Sequence, residues 1–174
     1  MQRLHHPSPQ DAEWLEKATV LREAVLVRLE SMPESQRATP PAPGHWSASG
    51  VVEHLILVEE IVVGLWRQRL LERPSSRAGF KSALLISIVS FVVSKTDVRV
   101  PTVSELEPKE MMELDELRHR WETARENLVA ALPEDPRRAW ILHPAFGPLS
   151  GGQMGRLLAS HLEHHLRHWP APKA

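Results

Sequence analysis

The sequence predicts an all-α fold, a four-helix bundle of up-down-down-up topology, with a long crossover carrying a short extra helix between helices two and three. Prolines are the first reason, because they divide the chain of 174 residues into proline-free windows of helical rather than strand length. Within four windows, apolar residues recur at steps of three and four, as along one face of a helix. Four such helices form one bundle, and we expect residues 1–174 to be a single domain.

The composition excludes several classes of function. A hydrophobic content of 42% and a net charge of −1 describe a globular chain without the basic surface that nucleic acid or an anionic membrane requires. Cysteine is absent, which excludes disulfides, thiolate ligands and cysteine nucleophiles. The chain does not open on an apolar signal segment, and its longest apolar stretch, 83–93, is shorter than the ~20 residues of a membrane helix. We therefore expect a cytoplasmic protein that binds neither nucleic acid nor membrane.

The first two helices are expected at about 9–32 and 47–72. The first begins with a Ser-Pro pair typical of helix N-termini, and its core face is Trp14, Ala18, Leu21, Val25 and Leu29. The second follows Trp46-Ser47 and ends before Pro74. Its inward face is expected to comprise residues that share the helical period, namely Val51, His54, Val58, Ile61 and Leu65.

The crossover and the last two helices complete the bundle. Within 75–100 the apolar residues fit a helix, although the β-branched content also permits a strand; we predict a short helix that covers the bundle. The third helix is expected at about 108–132, on the seam Leu114, Leu117, Trp121, Ala124 and Leu128. The fourth is expected at about 150–169, where Ser150 and Gln153 have the spacing of a capping box.

Three histidines interrupt the apolar faces, His54 on the second helix and His161 and His165 on the fourth. The last two are four residues apart, so both imidazoles can reach one ion. By helical rise, His54 lies about 10 Å from the start of its helix, and the pair lies about 12 and 6 Å from the end of theirs. All three share a level only if the two helices are antiparallel. The alternative is ordinary core histidines, although burying unpaired imidazoles is costly.

Several segments together resemble the DinB-like superfamily, over about 45–169. They are Trp46-Ser47 with Val51-Val52-Glu53-His54-Leu55, then Arg99-Val100-Pro101, then His143-Pro144-Ala145-Phe146-Gly147-Pro148-Leu149, and His161-Leu162-Glu163-His164-His165-Leu166. The resemblance implies an up-down-down-up bundle with a divalent metal ion, nickel or zinc, on three histidines. These ligands map to His54, His161 and His165. Where the family often has Gln, this chain has His168, as an outer partner or an extra ligand.

The expected activity follows from such a site. A dication on three imidazoles keeps at least one coordination position for water or substrate. The resemblance implies a metal-dependent transferase, in some relatives dependent on a low-molecular-weight thiol, or a hydrolase acting on small molecules. Because the chain has no cysteine, any thiol must be a cosubstrate. Two alternatives stay open: a non-catalytic metal-binding stress or interaction protein, and a metal-free helical dimerisation module. The expected partners are a small-molecule substrate and a second copy in a homodimer.

Candidate proton-transfer groups are few. By helical angle, no carboxylate shares a face with the three histidines, and Glu53, Glu59 and Glu163 are expected on the solvated surface. This leaves His168 as the expected proton carrier. His164 is expected to flank the site, and Trp46 and Trp169 lie near its predicted level.

Overall fold

The structure is a computed structural model that describes residues 9–71, 104–109, 112–132, 139–143 and 147–170. Its elements, in chain order, are α1 (Pro9–Glu30), the short α2 (Glu34–Ala38), α3 (Ala48–Leu71), a 3-10 turn (Ser104–Leu106), α4 (Leu114–Ala130), β1 (Ala139–His143), β2 (Gly147–Ser150) and α5 (Gly151–Arg167). The four long helices α1, α3, α4 and α5 form the predicted bundle, so the all-α fold class is confirmed. The expected short helix within 75–100 falls outside the described residues.

The bundle contains two pairs of parallel helices. In the first pair, contacts advance along both α1 and α5, from Lys17 with Glu163 to Arg28 with the Leu166 carbonyl. In the second pair, contacts advance along both α3 and α4, from Glu60 with Arg120 to Arg67 with Asn127.

The two pairs run in opposite directions. Arg22, in the second half of α1, contacts Glu122 of α4, whereas Glu30, at the end of α1, contacts Arg118. The contacts therefore run backwards along α4, and α1 is antiparallel to α4. Since α5 is parallel to α1 and α3 is parallel to α4, α3 and α5 are antiparallel. This is the predicted up-down-down-up topology.

A two-stranded antiparallel hairpin, which the sequence did not predict, precedes α5. Its register pairs Ile141 with Leu149 and His143 with Gly147. Ile141 and Leu149 are buried, so the hairpin extends the core. Gly147 has φ +70°, a left-handed value that residues with a β-carbon rarely adopt. Pro148 is tolerated in β2 because a strand of a two-stranded sheet can place a residue without an N–H where no ladder hydrogen bond is needed.

Side-chain caps fix where the two helices of the candidate site begin. Ser47 Oγ accepts a hydrogen bond from the Gly50 N–H at 3.0 Å at the start of α3. Before α5, Ser150 Oγ accepts from the Gln153 N–H at 3.3 Å, and the Ser150 N–H donates to Gln153 Oε1 at 2.8 Å. The predicted capping box is therefore present. Each cap satisfies an N–H that the helix leaves without an internal partner.

The core agrees with the predicted faces of α1 and α4 and corrects that of α3. Trp14 and Trp121 are buried, as expected, and so is Trp66. On α3 the buried positions include Val52, Leu55, Ile56, Glu59, Val62, Val63 and Trp66. Of the predicted face, Val51 and His54 are buried, but Val58, Ile61 and Leu65 are only half-buried. The predicted core face of α3 is therefore rotated around the helix axis relative to the observed one. The error arose because α3 is apolar around much of its circumference and because Glu59 was expected on the solvated surface.

None of the helices within the described part of the chain combines the length and apolar character needed to cross a membrane.

Candidate metal centre

The three predicted histidines meet between α3 and α5. His54 Nε2 lies 3.3 Å from His161 Nε2, and His165 Nε2 lies 3.0 Å from the same atom. One nitrogen from each ring lies within 4.8 Å of the other two. The antiparallel direction of the two helices and their capped starts place the three rings at one level. The sequence therefore predicted correctly which residues come together.

The two nitrogen separations at His161 are compatible with a shared metal ion. Tetrahedral ligation with bonds of about 2.0–2.1 Å separates two ligand nitrogens by about 3.3–3.4 Å. The two separations at His161 are close to that value. Hydrogen bonds alone explain the cluster less well, because one ring nitrogen has either one hydrogen or one lone pair. His161 Nε2 cannot make a full hydrogen bond to both neighbours, whereas one cation can accept a lone pair from all three rings.

A backbone carbonyl orients the first of these rings. His54 Nδ1 lies 2.7 Å from the Leu106 carbonyl oxygen, and a carbonyl oxygen can only accept, so Nδ1 carries the hydrogen. In the neutral ring, Nε2 then has a lone pair directed at the other two histidines. No sequence pattern points to Leu106, because its contribution comes from the backbone carbonyl.

Glu53 holds the segment that provides this carbonyl. The Lys109 N–H donates to Glu53 Oε1 at 3.2 Å, and Glu53 is buried. One end of segment 104–109 is thereby attached to α3 through Glu53 and its middle through His54. The surface position expected for Glu53 is wrong. That expectation considered α3 alone, whereas segment 104–109 packs on this side of the helix.

Burial keeps the three imidazoles neutral. It lowers the pKa of His54, although the hydrogen bond to Leu106 opposes this effect. Burial, with smaller contributions from His54 and His164, lowers the pKa of His161 to about 3. Burial also lowers the pKa of His165, with the neighbouring histidines, His161 first, adding to the effect. Neutral imidazole is the form that binds a metal, so the free site is already in its ligating state at neutral pH.

The cluster lies at the edge of the core. His54 is buried, while His161 and His165 are each partly exposed, so an ion can enter from solvent. The Trp46 ring lies 4.7 Å from the His54 ring, consistent with its expected place beside the site. Trp169 instead packs into the core, where its Nε1–H donates to Met32 Sδ at 3.4 Å.

The other two histidines of α5 lie outside the three-ring cluster. His164 is next to it, with its ring 5.4 Å from that of His165. His168 is exposed, and its ring lies 4.6 Å from that of His164. The role of His168 as proton carrier stays a prediction. Elsewhere, His143 at the end of β1 is half-buried, and burial lowers its pKa.

Carboxylates are absent from the cluster within the residues that the structure describes. Glu59, expected on the surface, is instead buried, and it accepts hydrogen bonds from Arg125 and the Trp121 indole. It belongs to an internal ion pair rather than to the site. Glu163 is half-buried and pairs with Lys17 at 2.9 Å.

Comparison with known proteins gives one family and one fold. The family model described as the DinB superfamily matches residues 18–168. The solved structure of TT2238, described as a four-helix bundle protein, superposes with a TM-score of 0.58 at 23% identity, covering 91% of this chain and 96% of that one. At this identity the likeness concerns the fold alone. No curated protein matches the chain.

Proposed function

The chain belongs to the DinB superfamily, and from this premise we propose that it binds a divalent metal ion through His54, His161 and His165. The observation that carries the proposal is the meeting of three Nε2 atoms at ligand spacing. Nickel and zinc are the proposed ions, because imidazole suits both. The Leu106 carbonyl supports the proposal, since ligating histidines almost always donate their second N–H to such a partner.

The proposed activity is transfer or hydrolysis of a small molecule. Three protein ligands are the number that catalytic zinc sites use, and an ion held by them supplies a Lewis acid that polarises a bound group. The histidines fix its position, Trp46 flanks the site and the partial exposure of His161 and His165 admits a substrate. His168 is the proposed proton carrier, because it follows His165 by three residues and is exposed to solvent.

A low-molecular-weight thiol is the proposed cosubstrate of the transferase. The chain contains no cysteine, so it has no thiol of its own to donate. The non-catalytic alternative has one observation in its favour, since no carboxylate joins the cluster in the described segments. The activity experiment below separates the two.

Metal content tests the proposed site. Untagged protein, purified without chelator and reconstituted with Ni²⁺ or Zn²⁺, should retain about one ion per chain by elemental analysis. His54→Ala and His165→Ala should each lose it, while His119→Ala, at an exposed position on α4, should retain it. Wild-type protein that holds no stoichiometric ion after reconstitution would contradict the proposal.

Activity is tested on the loaded protein. We expect consumption of a low-molecular-weight thiol with an electrophilic acceptor, or hydrolysis of an activated ester, that His165→Ala abolishes and His119→Ala leaves unchanged. Metal retention without turnover in either assay would favour the non-catalytic metal-binding protein.

A further inference from the structure

α5 carries a second pair of histidines beside the cluster. His164 and His168 are four residues apart, and their ring centroids are separated by 4.6 Å. His161 and His165 have the same spacing in sequence and the same centroid separation of 4.6 Å. The two pairs are offset by three residues, which places them about 60° apart around the helix. The sequence spacing and ring separation of the inner pair thus occur a second time at the C-terminal end of α5, where His164 lies in the last turn and His168 directly follows the helix.

The surroundings of the two pairs differ. His168 is exposed and His164 is half-buried, so the second pair faces solvent at the C-terminal end of the helix. The end of a helix carries partial negative charge on its last carbonyls, which favours a cation there. An ion on this pair would keep most of its coordination positions for water, as two protein ligands do not close a site.

We propose that His164 and His168 form an outer metal site that takes a first-row divalent ion directly from solvent. Imidazole nitrogen is the ligand type that nickel, copper and zinc prefer. The outer pair is adjacent to the inner cluster, because the His164 ring lies 5.4 Å from the His165 ring. With two ligands in place of three, it binds its ion more weakly and exchanges it faster. The proposal rests on the proposed function only in naming the inner cluster as a second, separate site.

Immobilised Ni²⁺ tests the outer pair, because a surface-bound ion reaches the exposed His168 more readily than the inner cluster, in which His54 is buried and the other two histidines are only partly exposed. The background protein is untagged and carries His5→Ala and His6→Ala, which remove the two consecutive histidines near the start of the sequence. In this background His164→Ala and His168→Ala should each elute at a clearly lower imidazole concentration. His119→Ala is the matched control, since it removes another exposed histidine, and it should elute with the background protein.

Calorimetric titration of the reconstituted background protein with Ni²⁺ gives the affinity. We expect a second ion to bind with lower affinity than the first. In His168→Ala the affinity for this second ion should fall at least about tenfold, because losing a direct ligand costs no less than the 10–100-fold typical of losing an outer hydrogen-bond partner. Far-ultraviolet circular dichroism should show that this variant is folded, because the side chain of His168 is exposed and its loss should not disturb the core.

The two proposals fail in different ways. Unchanged elution and unchanged Ni²⁺ titration in both His164→Ala and His168→Ala would overturn the outer site, whatever the inner cluster binds. If elemental analysis finds no ion in the reconstituted wild type while retention still depends on His164 and His168, the outer site stands and the proposed function fails.

Discussion

At the scale of single residues, the site depends on which nitrogen of His54 carries hydrogen. The Leu106 carbonyl 2.7 Å from Nδ1 assigns the hydrogen to that atom and leaves Nε2 as the donor of a lone pair. Leu106 lies in a segment attached to α3 by Glu53 and Lys109. The chemistry of a ligand in α3 is therefore set by residues more than fifty positions further along the chain.

Replacement of Glu53 tests this dependence. Glu53→Ala removes the acceptor for the Lys109 N–H, so the Leu106 carbonyl should be held less firmly and the affinity for Ni²⁺ or Zn²⁺ should fall by about 10–100-fold. Glu53→Gln keeps an oxygen at that place and should lose much less. Competition with a chromophoric chelator measures both affinities. Equal losses in the two variants would mean that the carboxylate charge, not its position, matters.

Glu59 has a structural role that can be separated from the site. It is buried with Arg125, which donates from Nε to Oε2 at 3.1 Å and from Nη2 to Oε1 at 2.5 Å. Glu59→Leu leaves a buried guanidinium without its partner and should lower the free energy of unfolding by about 3–5 kcal/mol. Adding Arg125→Met should restore much of this loss, as measured by urea unfolding. Metal content should remain at the wild-type value throughout. A double variant no more stable than Glu59→Leu would contradict this account.

The sequence predicted which three histidines come together but not the residues that support them. Spacing by four on one helix and matching levels on two helices are visible in the chain, so His54, His161 and His165 could be found. The burial of Glu53 and Glu59 could not, because the partners that make it tolerable come from other elements. When only its own helix is considered, an acidic residue is expected at the surface, because Asp and Glu are rarely buried without a partner.

At the scale of the elements, the close packing of α1 against α5 could not be predicted from the spacing of apolar residues. Gly155 permits this approach, since a β-carbon built there would lie 2.1 Å from the Trp14 ring. Both residues are buried. The helix that carries His161 and His165 is therefore positioned by a contact two turns before them, where an indole ring lies against bare backbone.

Gly155→Ala should separate the two helices at this contact. The added methyl cannot be accommodated without moving Trp14, and overpacking of this kind costs about 1–3 kcal/mol. Gly152→Ala is the matched control, because its β-carbon has no atom within 4 Å, and alanine is a better helix former than glycine. We expect a lower midpoint of urea unfolding for the first variant and an unchanged or higher one for the second. If Gly155→Ala is as stable as the wild type, the close packing does not limit the position of α5.

The hairpin and the core face of α3 show where periodicity fails at this scale. Helical periodicity gave no sign of β1 and β2, which nevertheless pair, since a two-stranded sheet leaves one side of each strand without ladder hydrogen bonds and so tolerates Pro148. In α3, apolar residues occur around most of the helix, so the 3.6-residue period fits more than one face. In α4, by contrast, apolar residues lie on one narrow side of the helix and polar residues on the other, so the core face could be predicted.

At the scale of the whole molecule, the three histidines link stability to pH. Each has a pKa lowered in the folded chain, chiefly by burial, to about 3 for His161. Above about pH 6.5 the imidazoles are neutral in both folded and unfolded chains, and their full contribution is present. Below that pH the unfolded chain binds protons that the folded chain does not, so the free energy of unfolding decreases until pH passes the folded pKa values.

Unfolding of the metal-free protein should therefore show a loss of stability as pH falls from about 6.5 toward 3, of up to about 1.4 kcal/mol per pH unit for each histidine. His161→Asn removes one such group and should make the decline shallower by up to that amount. Leu157→Asn, half-buried one turn earlier on α5, is the control for a polar side chain at this depth and should keep the wild-type slope. A slope in His161→Asn equal to that of the wild type would contradict the assignment of the decline to these histidines.

Bound metal should change this pH profile in a defined way. An ion at a free concentration a thousand times its dissociation constant adds about 4 kcal/mol to the free energy of unfolding, because the unfolded chain lacks the site. Protons compete for the same nitrogens, so this gain should be present above about pH 6.5 and decrease as pH falls. Urea unfolding with Ni²⁺ and with excess chelator should give two curves of stability against pH that converge in acid. In His165→Ala the gain from the inner cluster should be lost, so the two curves should differ at most by the smaller gain from the outer pair. Coincident curves in the wild type from pH 5 to 8 would mean that the three histidines pack in the core without holding an ion.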